Sequence, residues 1–375
     1  MRRNLPLLAA LLVATAMVVG QLLPAGQAGA ALDPTVDPPS RAAAAQTRLA
    51  AVMHPLRPGE KPPQFVIFSF DGAGSHTHWQ RIMDIAARSQ ASVTGFLSGI
   101  YLLDDGQKGR YHGPGHAAGK ASIGFGGPPA QVATLVDDLN EARASGHEIG
   151  THYNGHFCHG AEPSVGRWNT AAWDSELDQF QSFVATARAE RGLQLDPATV
   201  RGGRTPCLEG NPAALFPALK AHGMTYDSSL TSTGVAWPED RDGIREFPMP
   251  VVRVPALGRK VILMDYNLWF AFDRARDAPA RVTEFTDQSL ETYRATYDAA
   301  FTQNRAPLVV GNHFNDWNGG AFATAVERFL GEVCLKPETV CTTYGNVSRW
   351  MDMQDPAVLA EWRAKPHAQV PASVG

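Results

Sequence analysis

Short apolar runs alternate with longer amphipathic segments between about residues 64 and 355, and this alternation constrains the fold more than any other feature. The run Phe65–Phe70 is typical of a buried strand, and the segment around Trp79–Arg88 is typical of a helix. Parallel strands need crossover segments of this length, so the pattern predicts repeated βα units. Six or seven such units favour an α/β fold with a deformed or incomplete (β/α) barrel of six to seven parallel strands over an open sheet. The other predicted strands are Ser92–Leu97, His147–Thr151, Thr199–Arg201, Val261–Met264 and Leu308–Val310, and the other predicted helices are Gln131–Ser145, Asp174–Arg191, Asn211–His222, Pro279–Asn304 and Ala321–Leu330.

The first thirty residues have the pattern of a secretory signal peptide. Arg2 and Arg3 precede the apolar run Leu7–Gly20, and the small residues Ala28-Gly29-Ala30 form a cleavage site. The apolar run is short for a membrane span, although an uncleaved N-terminal anchor is the alternative. We therefore expect a secreted, extracellular protein that is cleaved near Ala30 and has no membrane span in the mature chain.

Composition places limits on the partners and on the domain boundaries. Loss of Arg2 and Arg3 with the signal changes the formal net charge from −4 to −6, and this acidic balance argues against nucleic acid as a partner. Residues 31–62 are rich in Ala and Pro and are expected to form a linker with a short helix around Ala43–Met53. Residues 63–355 are expected to form one domain, and the Pro-containing residues 356–375 a tail. The Gly- and Pro-rich segment Gly99–Pro129 is expected to be a long loop.

The chain has four cysteines, an even number in a protein that the signal directs to an oxidising compartment. Four cysteines allow three disulfide connectivities. Of these we expect Cys334–Cys341, which closes a short loop, together with Cys158–Cys207. The second pair would join two segments that carry candidate site residues.

Five polar residues follow predicted strands directly. Because the carboxyl ends of parallel barrel strands meet on one face, where such barrels have their active sites, we expect these side chains to lie near one another. They are Asp71, His152, Arg204, Asp265 and His313.

A histidine-rich stretch, G-T-H-Y-N-G-H-F-C-H-G, follows the third predicted strand. The spacing of four between His152 and His156 would put both imidazoles on one face of a helical turn, where they could share a metal. His159 is expected not to be a ligand. Catalytic zinc sites have three protein ligands as a rule, so two imidazoles are an incomplete set.

Five ordered motifs resemble those of the polysaccharide deacetylases of carbohydrate esterase family four, which include chitin and peptidoglycan deacetylases. The family motif T-F-D-D-G is similar to S-F-D-G around Asp71, and H-S/T-x-x-H is similar to H-Y-N-G-H at His152–His156. The family motif R-x-P-Y is similar to R-T-P-C at Arg204–Cys207, and D-x-x-x-W is similar to D-Y-N-L-W at Asp265–Trp269. The last motif, a strand ending in L-x-H, is similar to G-N-H at His313.

This resemblance implies a role for each catalytic residue. Asp71 corresponds to the catalytic base, which takes a proton from a metal-bound water, and Arg204 to the residue that holds this base. His313 corresponds to the general acid, and Asp265 to its carboxylate partner. These roles agree with general chemistry, since a carboxylate beside Arg⁺ stays ionised and a histidine beside a carboxylate stays protonated near neutral pH.

The resemblance also implies a metal site and a substrate pocket. His152 and His156 correspond to two ligands of a divalent metal, zinc in the first place and cobalt as the alternative. Trp269 corresponds to a wall of the sugar pocket. Cys207 takes the position whose backbone N–H points to the oxyanion in the family, where an aromatic residue is usual. Gly311 replaces a leucine of the acetyl pocket.

The most important departure from the family is Gly72, which replaces an aspartate that is a metal ligand there. Three interpretations remain open. Asp71 could itself bind the metal, with another group as base. A carboxylate from elsewhere, or His76 or His78, could complete the site. The metal site could also be lost.

Together these features predict a secreted metal-dependent hydrolase that removes N- or O-acetyl groups from a cell-wall or chitin type polysaccharide or oligosaccharide. The alternative is a non-catalytic carbohydrate-binding protein that has lost the metal site through Gly72. A glycosidase is the third hypothesis. It would need two carboxylates flanking the sugar bond, and Asp71 and Asp265 are the candidate pair.

Overall fold

The computed structural model describes residues 38–372, so the predicted signal peptide lies outside the described residues. The strands are β1 Gln64–Gly72, β2 Thr94–Leu97, β3 Glu148–Thr151, β4 Gly202–Gly203, β5 Tyr226–Asp227, β6 Thr231–Thr233, β7 Glu239–Arg241, β8 Ile244–Glu246, β9 Met249–Val254, β10 Arg259–Ile262, β11 Leu308–His313 and β12 Thr339–Cys341. The helices are α1 Pro38–Ala50, α2 His76–Arg88, α3 Pro129–Ala144, α4 Thr170–Arg191, α5 Pro212–Ala221, α6 Asp265–Asp273, α7 Val282–Gln303, α8 Trp317–Val333, α9 Tyr344–Asp352 and α10 Pro356–Arg363.

The centre of the structure is a nine-stranded sheet in the order β11-β1-β2-β3-β4-β5-β8-β7, with β12 also paired to β1. All neighbouring strands from β11 to β8 are parallel, and only β7 is antiparallel to its neighbour. Successive strands lie side by side and β11 returns beside β1, which is the winding of a barrel. The predicted α/β fold with an incomplete barrel is therefore confirmed.

A second sheet, in the order β10-β9-β6, lies where the large sheet is open. It meets β11 through an isolated parallel bridge between Met264 and Gly311. The segment Val261–Met264 was predicted to be a strand of the barrel, but β10 in this region pairs antiparallel with β9 instead. Its apolar run resembles that of a barrel strand because it too is packed against the core.

Strand β1 explains the core most directly. Its residues from Gln64 to Asp71 are all buried, because helices cover one face of the sheet and the barrel interior covers the other. The register of β1 with β11 places Asp71 opposite His313, so two polar strand ends are neighbours by backbone pairing alone. Three tryptophans are fully buried around this framework, namely Trp79, Trp173 and Trp350.

The limits of the folded unit differ from those drawn from the sequence. Helix α1 lies within the predicted linker, where Ala42 and Ala45 are buried. Helix α10 lies within the predicted tail, and Ala368 beyond it forms an antiparallel bridge with Val235. Both segments contain several alanines and prolines and lack a clear apolar periodicity, so the sequence does not indicate these contacts. Within residues 38–372, no helix is both long enough and apolar enough to cross a membrane.

We predict that α1 is part of the folded unit. A chain beginning at residue 54 should lose about 2 kcal/mol or more of unfolding free energy relative to one beginning at residue 38. It loses two buried alanines, the 2.9 Å hydrogen bond from Arg48 Nε to the Thr339 carbonyl, and the 3.1 Å bond from Trp350 Nε1 to the Val52 carbonyl. Urea unfolding of the two chains measures this difference, and equal midpoints would show that α1 is dispensable.

Candidate active site

A cavity of about 840 Å³ opens at the carboxyl ends of the parallel strands. Five of the predicted site residues line this cavity, namely Asp71, His152, His156, Cys207 and His313. Arg204 and Asp265 lie directly behind this wall, where each holds one of the lining residues. The remaining wall is largely aromatic and apolar, and includes Tyr101, Phe125, Tyr266, Phe314 and Trp317.

Asp71 is held by a fully buried guanidinium. Arg204 Nη1 donates to Asp71 Oδ1 at 2.9 Å, and its remaining N–H groups are directed to a shell of neutral acceptors. These are Ser69 Oγ at 3.0 Å, Ser228 Oγ at 3.0 Å, the Ser228 carbonyl at 3.0 Å and Tyr344 Oη at 2.7 Å. Burial favours the neutral acid, but the positive charge of Arg204, with its hydrogen bond, outweighs burial and lowers the pKa of Asp71. Asp71 is therefore ionised at neutral pH.

His313 is held by Asp265, the first residue of α6. The His313 Nδ1–H donates to Asp265 Oδ1 at 2.7 Å, and the His313 backbone N–H donates to Asp265 Oδ2 at 2.7 Å. Burial alone would lower the pKa of His313, but the Asp265 carboxylate outweighs it and raises this pKa above 6.5. The imidazole side chain is 24% exposed and reaches the cavity. The site thus combines an ionised carboxylate with an imidazole whose protonated form is favoured by its own carboxylate partner.

His152 presents a free nitrogen to the interior. Its Nδ1–H donates to the Arg204 carbonyl at 2.8 Å, which leaves Nε2 with its lone pair. This Nε2 is buried and has no hydrogen-bond partner among residues 38–372. Burial lowers the pKa of His152 to about 3, and burial also lowers the pKa of His156. Both imidazoles are neutral at physiological pH, and their ring centroids are 5.1 Å apart.

The histidine pair is not carried on a helical turn, contrary to the prediction from its spacing. Residues 152–156 form an irregular loop in which Tyr153 and His156 have left-handed backbone conformations, with φ of 57° and 56°. The loop N–H groups are taken by a buried side chain instead. Glu176 Oε1 of α4 accepts from the backbone N–H of Asn154 at 2.9 Å and of Gly155 at 3.3 Å. The two rings approach each other because this loop is folded around a carboxyl group.

Glu176 also ties the long loop to the histidine loop. Tyr111 of the segment Gly99–Pro129 donates its hydroxyl to Glu176 at 3.0 Å. Burial raises the pKa of Glu176 to about 7. No local sequence signal marks this residue, since it is one acidic position in an otherwise ordinary helix.

A disulfide joins the two loops that flank the site. Cys158 and Cys207 are bonded, and Cys334 and Cys341 form the second bridge, which confirms the predicted pairing. Cys207 lies in the cavity wall with a left-handed φ of 56°. Because its sulfur is in the disulfide, Cys207 is not a thiolate nucleophile or ligand.

The candidate donors for a divalent metal are two histidines and two cysteines around the cavity. Within residues 38–372, the one group of three donors that lie within 4.8 Å of one another is His156 with Cys158 and Cys207, whose sulfurs are already bonded. The buried, unpartnered Nε2 of His152 and the neutral ring of His156 fit a divalent metal as two ligands. Gly72 lines the cavity beside them and supplies no side chain.

The two histidines after Gly72 lie in different places. His76 lines the cavity, and its Nδ1 is 2.8 Å from Asp138 Oδ1, so the pair forms a second His–Asp contact in the same wall. His78 is not among the lining residues. Its Nδ1 is 2.8 Å from Ser75 Oγ, and its Nε2 is 3.3 Å from Asp316 Oδ1. His78 is thus engaged within the protein.

The aromatic wall differs in detail from the prediction. Trp269 is 9% exposed, is not among the lining residues, and donates Nε1–H to the Arg276 carbonyl at 3.0 Å. Its ring stacks on Trp317 with a centroid distance of 5.4 Å, and Trp317 does line the cavity. Tyr266, which is 43% exposed, packs edge-on against Trp317. Trp269 therefore supports the wall from behind.

No protein-family model and no curated protein matches this sequence. Among solved structures, a protein described as a polysaccharide deacetylase from Mycobacterium smegmatis is 16% identical, with a TM-score of 0.47, and the match covers 81% of this chain and 96% of that one. A CE4 esterase from Streptococcus mutans is 14% identical, with a TM-score of 0.44 and coverage of 79% and 90%. A CE4 family pseudoenzyme from Bacillus anthracis is 10% identical, with a TM-score of 0.40 and coverage of 78% and 66%.

By description, these matched proteins are polysaccharide deacetylases or CE4 family members, which is the family that the five motifs resemble.

We predict that Asp265→Asn lowers the pKa of His313. Burial lowers this pKa and the Asp265 carboxylate is the largest group that raises it, so removal of its charge shifts the balance toward a lower pKa. Below its raised pKa wild-type His313 is protonated, and the variant should lose this proton at a lower pH. NMR titration of the His313 ring measures both midpoints without any assay of activity. Asp287→Asn, which removes one partner of the exposed Arg328 pair, is the control and should leave the midpoint unchanged.

The two disulfides should differ in their contribution to stability. Cys158 and Cys207 are 49 residues apart and Cys334 and Cys341 are 7 apart. From loop-closure entropy we expect losses of about 4 and about 2 kcal/mol when each pair is replaced by alanines. Guanidinium unfolding of the two double variants measures the order. A larger loss for the Cys334/Cys341 variant would contradict this expectation.

Proposed function

We propose that the chain is a secreted hydrolase that removes acetyl groups from an acetylated polysaccharide with the help of a divalent metal. The observation that most supports this function is that two ion pairs, Asp71 with Arg204 and His313 with Asp265, each place one member in the wall of the same cavity. Asp71 with Arg204 provides a carboxylate that stays ionised, and His313 with Asp265 provides an imidazole whose pKa is raised, which favours its protonated form. Amide or ester hydrolysis needs both a base and an acid in these protonation states.

In the proposed reaction, a water oxygen attacks the acetyl carbonyl carbon while Asp71 takes a proton from that water. Arg204 keeps Asp71 in place and ionised. The carbon–nitrogen or carbon–oxygen bond of the acetyl group then breaks, and His313 gives its proton from the ring nitrogen that does not contact Asp265. The immediate products are a free sugar amine or hydroxyl and acetic acid, whose proton passes to solvent to give acetate. The proton that Asp71 took returns to His313 through water, so both residues regain their starting protonation states.

The side chains that would hold the metal are His152 and His156. Their neutral rings and the unpartnered Nε2 of His152 support this assignment. A divalent metal would lower the pKa of a bound water and polarise the carbonyl. Zinc is the first candidate because imidazole is one of its preferred ligands, and cobalt is the alternative.

The shape of the cavity supports a carbohydrate substrate. Tyr266 and Trp317 offer aromatic faces at the cavity wall, and such faces pack on the apolar faces of sugar rings. The predicted signal peptide and the two disulfides support action outside the cell, where a cell-wall or chitin type polysaccharide would be reached.

Gly72 supports a second candidate function, a non-catalytic carbohydrate-binding protein. A two-imidazole donor set is smaller than that of catalytic zinc sites, and weak retention of metal would leave a sugar-binding cavity without its chemistry. The cavity and its aromatic wall suit both candidate functions, so a measurement of acetate release distinguishes the hydrolase from the carbohydrate-binding protein.

We predict acetate release from at least one of acetylated chito-oligosaccharides, peptidoglycan and acetylated xylan, with zinc or cobalt present. Chelator should abolish the release, and Asp71→Asn should lower kcat by about 100-fold or more. His152→Ala should remove bound metal, which elemental analysis of the purified protein detects independently of turnover. Asp287→Asn is the matched control, because this carboxylate is on the surface.

Absence of release from all three substrates, together with absence of retained metal, would overturn the hydrolase. Binding of the same oligosaccharides, measured by calorimetry, would then support the carbohydrate-binding alternative. Acetate release that chelator does not affect would contradict the proposed dependence on a divalent metal. The proposed roles of Asp71 and His313 would then be tested without added metal.

A further inference from the structure

The aromatic ring of Tyr101 lies directly on the turn that follows Asp71. A Cβ atom added to Gly74 would be 2.4 Å from Tyr101 Cδ2 and 2.7 Å from Cε2, distances that real side chains do not reach. Gly74 has no left-handed φ, so the ring is the reason that only glycine fits at this position. The turn at Gly74 therefore packs closely against the ring of Tyr101, which belongs to the long loop.

Gly72, on the same turn, faces the hydroxyl of this tyrosine. It has a φ of +85°, and a Cβ added there would be 3.7 Å from Tyr101 Oη. A side chain at position 72 would therefore project toward the place where the phenolic hydroxyl is. Tyr101 and Gly72 line the same cavity as Asp71, His152 and His156. Position 72 therefore supplies no carboxylate to the site, and a phenolic hydroxyl lies beside it.

A phenol at this place is chemically different from a carboxylate. Burial raises the pKa of the Tyr101 hydroxyl above its ordinary value of 10, so it keeps its proton. A neutral O–H group in a partly water-excluded cavity is a hydrogen-bond donor toward oxygen atoms that gain negative charge. A carboxylate next to the same oxygen would repel it.

We infer that Tyr101 is a catalytic residue whose phenolic O–H donates a hydrogen bond to the acetyl carbonyl oxygen of the bound substrate. This inference rests on the proposed function. The bond strengthens as the carbonyl oxygen becomes an oxyanion during attack by water, and it weakens again when the carbonyl of acetate reforms. Tyr101 transfers no proton, so the roles of Asp71 and His313 are unchanged.

Three variants test this role. Tyr101→Phe keeps the ring packed against Gly74 and removes the hydroxyl, so kcat should fall about 10- to 1,000-fold while KM changes less than about threefold. Gly74→Ala keeps the hydroxyl but displaces the ring, and should lower kcat similarly. Because both act through one hydrogen bond, the double variant should be no slower than the slower single variant.

The matched control is Gly109→Ala in the same long loop, where an added Cβ meets nothing within 4 Å, and it should keep wild-type kcat and KM. Thermal unfolding of every variant verifies that it is folded. If wild type releases acetate and Tyr101→Phe keeps the wild-type kcat, or changes only KM, the catalytic role is overturned and the proposed function stands. If wild type itself releases no acetate, the proposed function fails, and the role of Tyr101 fails with it.

Discussion

The buried guanidinium of Arg204 is the interaction on which the rest of the site depends. A charge removed from water is costly unless hydrogen bonds and an opposite charge offset that cost. Arg204 finds its partners on three different parts of the barrel, in Asp71 and Ser69 of β1, in Ser228 after β5 and in Tyr344 of α9. Satisfying one cation thus fixes the positions of three strand or helix ends. Without it, Asp71 would be a buried carboxylate with no counter-charge hydrogen-bonded to it.

The segments around the cavity store backbone strain, which other contacts hold in place. Left-handed conformations occur at Ala73, Tyr153, His156, Cys207 and Leu208, all in or beside the cavity wall. Such conformations persist only where the surroundings over-determine them, and they are frequent at functional sites. Here the Cys158–Cys207 disulfide restrains one side and Glu176 restrains the other. The site is therefore precise because its irregular loops are anchored.

Much of this arrangement could be predicted from the sequence. Parallel strands converge at their carboxyl ends, so polar residues after the apolar runs indicated Asp71, His152, Arg204 and His313 correctly as neighbours in space. The helical turn for His152–His156 was wrong because spacing does not reveal Glu176, which lies 20 residues further along. The contact between the Tyr101 ring and Gly74 also could not be predicted from the sequence. A contact between a ring and a glycine backbone depends on a loop path that carries no periodic signal.

Because the histidine loop depends on Glu176, the five residues H-Y-N-G-H do not by themselves determine the loop conformation. Its two rings converge only while the carboxyl group of α4 accepts the loop N–H groups. The same five residues, placed after a strand of another barrel without this acceptor, would follow their own backbone preferences and separate the imidazoles. A search for this histidine arrangement in another chain should therefore look for the helix that organises the loop as well as for the histidines.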